Sequence, residues 1–445
     1  MKFEYKYLGN RQPYSNIEPV ELDDCFRILR ETFGDAWLDE RNNNVLQKLW
    51  TRRDSLATRE LFSLGFSIRA LSKFSDFIKE KVELIKTNDP KNWNGALFEI
   101  FALSFFLRHN TVPAKRNQAG YDGVINLNTD KKIRLSIKNY SISKHHEIFL
   151  KESELINSLT QKNIQDYNCS PIEVIINKKN GYPSSGDWQL LKDNYHGIFI
   201  EYNKRGKNFM QADIGDWGVI VQGLRQTGKP YSNQKKSYTL ILSAPFHTNE
   251  EKNIFDKLEE ACANLVKHGG AETGDEKNMV IIHLPKIASR QNCEKWIKNY
   301  FELFPAKPIS AVILYQPLVL SIKEGKGTYI SNGISIISRE SFEKDFESLI
   351  PLDIVFPMGT PETEFPSHKI FVQETLATAF EISLTNFYVF QQGHHYHDAQ
   401  KVGASMEGSL NKVASGIFTH SIFEIDGQHV EFSGHFEPLD QLDIM

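Results

Sequence analysis

Apolar residues recur at three- and four-residue steps through EPVELDDCFRILRETFGDAW and SLGFSIRALSKFSDFIKEKVELIKT, which predicts a helical region over 18–88. The polar NDPKN at 88–92 breaks that pattern, and Pro90 cannot continue a helix, so a domain boundary is expected there. The next stretch, NWNGALFEIFALSFFLRHN, is apolar almost all round, the signature of a helix buried on most faces. A short strand at 111–116 and two further strand-like runs follow, 121–127 and 133–140, the latter two joined by the turn NTDKK. A polar, amphipathic helix is expected over 146–163. Strands are expected at 172–177, 196–202, 217–223 and 237–243, and a charged helix at 248–268.

From 278 the alternation gives way to continuous apolar runs. NMVIIHLP reads as a buried strand, RQNCEKWIKNYFELFP as a helix and ISAVILYQPLVL as a second buried strand. Strand, helix, strand of this kind implies a βαβ unit in a sheet covered on both faces. Beyond 320 the chain turns β-rich, with a hairpin expected at Asn332-Gly333 between YIS and ISIIS. The pattern therefore predicts an α/β protein in three parts: an N-terminal helical region over 1–90, an α/β domain over 91–320 and a β-rich region over 321–445.

Composition narrows the class. The chain has 445 residues, more than one ordinary compact domain. Hydrophobic residues at 40% and aromatics at 12% supply buried cores and exclude a disordered chain. A net charge of −4 means that a nucleic-acid role cannot rest on overall basicity. Cys25, Cys169, Cys262 and Cys293 are scattered without CxxC or zinc spacing, which fits free thiols in a reducing compartment. MKFEYKYLGNRQPYSN has no apolar signal-peptide core, and no run reaches the about 20 apolar residues of a membrane span. A cytoplasmic protein with no membrane contact is the expectation.

Four residues between 95 and 154 carry candidate chemistry: Glu99, Asp122, Lys138 and Glu152. Glu99 sits inside ALFEIFALSFF, and a carboxylate among apolar residues needs a cation, a metal, a hydrogen-bond donor or a proton. Asp122 heads one strand. On the next, Ile133, Leu135 and Ile137 alternate with Arg134, Ser136 and Lys138, so Ser136 and Lys138 share a face. Carboxylates that hold Mg²⁺ beside a lysine ammonium can run phosphodiester hydrolysis, in which the metal acidifies a water and the ammonium meets developing charge.

The order of helix-borne Glu, strand, Gly-x-Asp strand, x-x-Lys strand and helix resembles the PD-(D/E)XK nuclease superfamily over about residues 92–165. The resemblance implies a restriction-endonuclease-like αβββαβ core in which Asp122, Lys138 and Glu99 are catalytic. Ser136 departs from the motif, standing where a second acid belongs. One subgroup of type II restriction endonucleases, cutting CCGG-cored sites, also has Ser-x-Lys and takes the acid from the next helix. Glu152, fourteen residues beyond Lys138, is the matching candidate, with Glu147 and Glu154 nearby. By this resemblance Asp122, Glu99 and Glu152 bind Mg²⁺, or Mn²⁺, and Ser136 marks the vacated ligand position. The function implied is a metal-dependent DNA endonuclease of restriction or anti-phage type. Its partners would be double-stranded DNA and either a second copy of the chain or a defence-system protein. The alternative is an inactive nuclease fold that binds nucleic acid or a partner protein.

Local charge is compatible with that reading. Over 111–151 there are eight basic residues, Lys115, Arg116, Lys131, Lys132, Arg134, Lys138, Lys144 and Lys151, against Asp122, Asp130 and Glu147, with His145 and His146 in addition. The same residues could equally form a solvated hairpin tip. Two other motifs read as loops. GLRQTGKP at 223–230 has phosphate-loop spacing, but Pro230 replaces the Ser or Thr and a strand-like run follows. HHYHD groups His394, His395, His397 and Asp398, a possible transition-metal cluster that names no further ligands.

Overall fold

The protein is described from a computed structural model, covering residue 7 and residues 17–40, 44–87, 89–114, 120–127, 131–140, 143–169, 172–223, 238–269, 272–285, 288–321, 328–342, 354–362, 369–375, 378–383, 387–392, 395–402, 405–412, 417–425, 428–436 and 442–445. The chain opens with six helices: α1 (Pro19–Phe33), α2 (Asp35–Asp39), α3 (Val45–Thr51), α4 (Ser55–Ala70), α5 (Ser75–Ile85) and α6 (Pro90–Ser104). Then come β1 (Asn110–Pro113), β2 (Gly123–Asn126), β3 (Lys132–Asn139), α7 (Lys144–Tyr167), β4 (Ile172–Lys178) and α8 (Ser185–Lys204). They are followed by β5 (Phe209–Ile214), β6 (Trp217–Gly223), β7 (Tyr238–Pro245), α9 (Asn249–Gly269), β8 (Glu276–His283) and α10 (Arg290–Leu303). The remainder is all strand: β9 (Ala311–Ser321), β10 (Thr328–Ser338), β11 (Thr360–Glu362), β12 (Lys369–Thr375), β13 (Thr378–Ser383), β14 (Phe387–Gln392), β15 (His395–Val402), β16 (Ser405–Lys412), β17 (Ile417–Ile425) and β18 (Gln428–Phe436).

These elements form two compact units that interleave along the chain, in place of boundaries at 90 and 320. The first takes Met1–Ser141, Asn253–Phe365 and Asp440–Met445, and the second takes Ile142–Lys252 and Pro366–Leu439. The helical N-terminus is therefore part of the first unit and not a separate domain. Its helices bury Leu22, Phe26, Leu61 and Ile85 in the same core as Leu135, Ile281 and Tyr315 of the sheet.

The first unit is built on a seven-stranded mixed sheet of order β1-β2-β3-β8-β9-β10-β11. β1, β2 and β3 form an antiparallel meander, and β3 then pairs in parallel with β8 and β8 with β9. The apolar runs of β8 and β9 are explained by burial on both faces. Met279 and Ile281 enter the core with α1–α6, whereas Val280 and Ile282 enter the core with α9 and α10. The expected βαβ unit is β8-α10-β9. Sequence order and space part company after β3: its parallel neighbour β8 is preceded by α9, and α7 belongs to the second unit.

The second unit holds a five-stranded sheet, β14-β7-β4-β6-β5, and the hairpins β12-β13, β15-β16 and β17-β18. The run at 196–202, expected as a strand, lies inside α8. Its β-branched and aromatic residues fall at helical spacing, and Trp188, Leu191, Tyr195, Ile198, Phe199 and Tyr202 are buried along one side. A capping box, with Ser184 and Asp187 bonding each other's backbone N–H, starts that helix. Asn332-Gly333 is likewise no turn: it lies mid-strand in β10, opposite Pro317 and Gln316 of β9. The buried Asn332 side chain accepts from the Tyr315 hydroxyl at 2.8 Å and donates to the Met358 carbonyl at 2.8 Å. Tertiary hydrogen bonds override the local turn preference there.

Candidate active site

Asp122 is fixed by the backbone of β3. Its N–H donates to the Leu135 carbonyl at 2.7 Å, and its Oδ2 accepts from the Ile137 N–H at 2.6 Å. These two bonds bracket Ser136 and hold the carboxylate at the head of β2. Gly123 lets that strand end come close to α6, since a Cβ there would stand 2.5 Å from Leu103 Cδ2. The meander thus delivers Asp122 beside the Ser136-Lys138 segment, as the alternation of β3 requires.

Lys138 extends to α9, where its Nζ meets Glu260 Oε1 at 3.0 Å. The lysine side chain is 12% exposed and Glu260 53% exposed, so the pair runs from the covered side of the sheet towards solvent. Ser136 is 1% exposed and lies within the layer. On α6, Glu99 finds the cation its apolar surroundings demand: Lys81 of α5 approaches Glu99 Oε2 at 2.5 Å and Glu80 at 3.5 Å. Phe98, next to Glu99 along α6, stacks on His283 at the end of β8 with ring centroids 4.8 Å apart.

Charge effects link Glu99 to Asp122, and Asp122 to Lys138 and Glu260. Burial raises the Asp122 carboxyl and Glu260 adds to that, while the Ile137 N–H and the Lys138 and Lys81 charges oppose it; the balance stays above the usual range. Glu99 is also raised, by burial and by the Asp122 charge, against the pull of Lys81. Burial raises Glu260 as well, but its Lys138 hydrogen bond and the Lys138 and Lys257 charges outweigh that and leave it low. Burial pushes His283 down to about 4, so its imidazole is neutral near pH 7.

Within the first unit Glu99 therefore feels Asp122, and Asp122 feels Lys138. Glu152 does not join that unit. It lies on α7 of the second unit, where it pairs with Lys192 of α8 at 3.0 Å. The acid that touches Lys138 is Glu260, which sequence spacing missed because more than a hundred residues of the second unit intervene. Lys81 was also missed, although it left a trace in the sequence. It occupies the buried stripe Ile78, Lys81, Val82, Ile85, where an unpaired ammonium would be costly.

The expected basic face is divided. Arg134 is buried against Glu276, and Lys132 stands 3.9 Å from the same acid. Lys144 and Lys151 fall in the second unit, while Lys115, Arg116 and Asp130 lie outside the described residues. Outside them too are residues 224–230 of GLRQTGKP and His394, together with the side chains of His395–Asp398 on β15. Among the described residues, no group of three or more His, Cys, Asp or Glu is drawn around a single point, and no helix is long and apolar enough to cross a membrane. Comparison of the chain with protein-family models, with curated proteins and with solved structures gave no match.

Proposed function

We propose that the chain is a Mg²⁺-dependent DNA endonuclease of restriction or anti-phage type, acting in the cytoplasm on double-stranded DNA. The observation that supports this reading is the chain of contacts in which Glu260 pairs with Lys138, Lys138 acts on Asp122, and Asp122 acts on Glu99. These contacts occur at the end of an antiparallel meander whose third strand is followed in space by a helix and a parallel strand. That arrangement of helix, three strands, helix and strand supports reading the unit in the restriction-endonuclease-like order, with the second unit inserted after the third strand. It supports placing the helix-borne acid of the Ser-x-Lys variant at Glu260 and not at Glu152.

The donor chemistry fits the ion. Asp122, Glu99 and Glu260 offer only carboxylate oxygens, the hard ligands that Mg²⁺ takes alongside waters, and a cation, Lys81, already stands against Glu99. Asp122 and Glu99 would hold the ion, with waters completing its coordination. Such an ion acidifies a bound water and offsets charge on the scissile phosphate. The chain's own work is positional. The β3 amide at Ile137 fixes the Asp122 carboxylate, and Glu260 fixes the Lys138 ammonium. Lys138 in turn donates to the attacking water and meets the charge that builds on phosphorus-bound oxygen.

The test is plasmid cleavage with Mg²⁺ or Mn²⁺ by the full chain and by Asp122→Ala and Lys138→Ala. Cleavage by the wild type alone is expected, and cleavage that survives both substitutions rules out this site. One observation favours a non-catalytic alternative: Lys138 and Glu99 are already satisfied by Glu260 and Lys81. DNA binding by the wild type with no cleavage under any divalent ion would establish that second reading.

A further inference from the structure

Lys81 lies outside every residue that the nuclease resemblance assigns. It comes from α5, in the N-terminal helices, and its side chain is only 9% exposed. It projects from the stripe that α5 otherwise fills with Ile78, Val82 and Ile85. Burying a lysine there is costly, and the cost is met by close pairing: Glu99 at 2.5 Å, Glu80 at 3.5 Å, and the Phe77 ring with its centroid 5.2 Å away. The same ammonium is felt at Asp122. One buried cation therefore answers to both Glu99 and Asp122, two carboxylates that would repel each other in a desolvated site.

We propose that Lys81 is a resident cation of the carboxylate cluster, holding Glu99 beside Asp122 until a divalent ion takes over that work, and so competing with the ion. This rests on the metal-dependent reading above. The argument is one of charge. Glu99 and Asp122 are the donors a divalent ion would use, and the lysine already engages one of them at contact distance. Like charges close together in a poorly solvated site weaken each other's binding. Removing the ammonium leaves every oxygen ligand in place and makes the cluster one unit more negative. An uncharged side chain at position 81 should therefore tighten ion binding by about tenfold or more. The same change should weaken the metal-free fold, because the two acids lose their counter-charge.

The experiment uses the full chain and Lys81→Met, which keeps length and loses charge. Mn²⁺ binding is measured by titration calorimetry at fixed pH, and melting is followed in EDTA and in Mn²⁺. The expected result is an Mn²⁺ Kd about tenfold or more below the wild-type value. With it should come a lower melting temperature in EDTA and a larger rise on adding Mn²⁺. A folded Lys81→Met with unchanged or weaker Mn²⁺ binding overturns the proposal. Should the methionine variant not fold, Lys81→Gln, which can donate to Glu99 without charge, reads the same shift in Kd. Asp122→Ala in the same titration separates the two levels of the argument. If the wild type binds no Mn²⁺, or Asp122→Ala binds it as tightly, the metal reading falls and this inference falls with it. If the wild type binds, Asp122→Ala does not, and Lys81→Met is no tighter, the role of Lys81 alone is refuted.

Discussion

Replacing Glu260 with Gln separates a catalytic role from a structural one. The substitution keeps shape and removes only the charge that anchors Lys138. As a contribution to stability the pair is weak. Glu260 is 53% exposed, and half-solvated ion pairs are worth roughly 0.2–1 kcal/mol. A loss of that size lowers a melting temperature by about 4 °C at most for a unit of this size. As a contribution to phosphodiester cleavage it is expected to be strong. Under the proposed nuclease function, losing the carboxylate that anchors Lys138 should slow turnover by about 10²–10³-fold, or roughly 3–4 kcal/mol of transition-state stabilisation. The rate effect therefore exceeds the stability effect several-fold. Glu259, one position away on α9, is the internal control, since it accepts from Tyr300 Oη at 2.7 Å and pairs with Lys307 instead of Lys138. Single-turnover plasmid cleavage and thermal melting of wild type, Glu260→Gln and Glu259→Gln decide the matter. Cleavage by Glu260→Gln within about threefold of wild type, or equal loss in both variants, would refute the reasoning.

Two further outcomes concern stability. Glu60 is fully buried and accepts backbone N–H groups from Asp443, Ile444 and Met445; burial nonetheless pushes its carboxyl up from 4.5 to about 8. The folded state therefore keeps a proton that the unfolded chain sheds above about pH 4.5, and stability is fully present below that pH and falls as pH rises towards 8. Unfolding by urea should show roughly 2–3 kcal/mol lost between pH 5 and pH 7, and Glu60→Gln should abolish that slope; parallel pH profiles would refute it. Asn332→Ala strands the Tyr315 hydroxyl and the Met358 carbonyl inside the first unit, and should cost about 2–3 kcal/mol, read as a lowered melting temperature. A change within about 0.5 kcal/mol would show that relaxation replaces those bonds.

The sequence was legible where burial imposes a period. The βαβ unit of β8, α10 and β9 and the β2-β3 pair follow from runs whose faces are dictated by two cores. Glu99 was legible for the same reason, because a carboxylate in an apolar helix demands a partner. Legibility failed where a local preference met a tertiary one. The Ile198–Tyr202 run favours strand locally, yet α8 buries it at helical spacing, and Asn332-Gly333 favours a turn until Tyr315 and Met358 engage the asparagine. Glu260 was out of reach for a different reason. Along α9 the charged positions alternate around the apolar stripe Ile254, Leu258, Ala261, Leu265, and nothing local marks one glutamate above its neighbours. Its role is set by which strand pairs with β3, a long-range property that no window of sequence contains.

The insertion after β3 also sets the order in which the protein can be made. Glu260 follows Lys138 by 122 residues, and synthesis at about 5–20 residues per second delays it by roughly 6–24 s. β8, which covers the long edge of β3, arrives later still. Until then the nascent chain carries β3 with an open edge, rich in Ile133, Leu135 and Ile137, the kind of edge that recruits unwanted partners. Ile444 and Met445 belong to the same core, so the first unit packs fully only once those two residues have been made. A ribosome-bound chain ending before α9 holds Asp122, Glu99 and Lys138 without the acid that aligns the lysine. The interval before α9 and β8 have been made is when the chain most needs a chaperone.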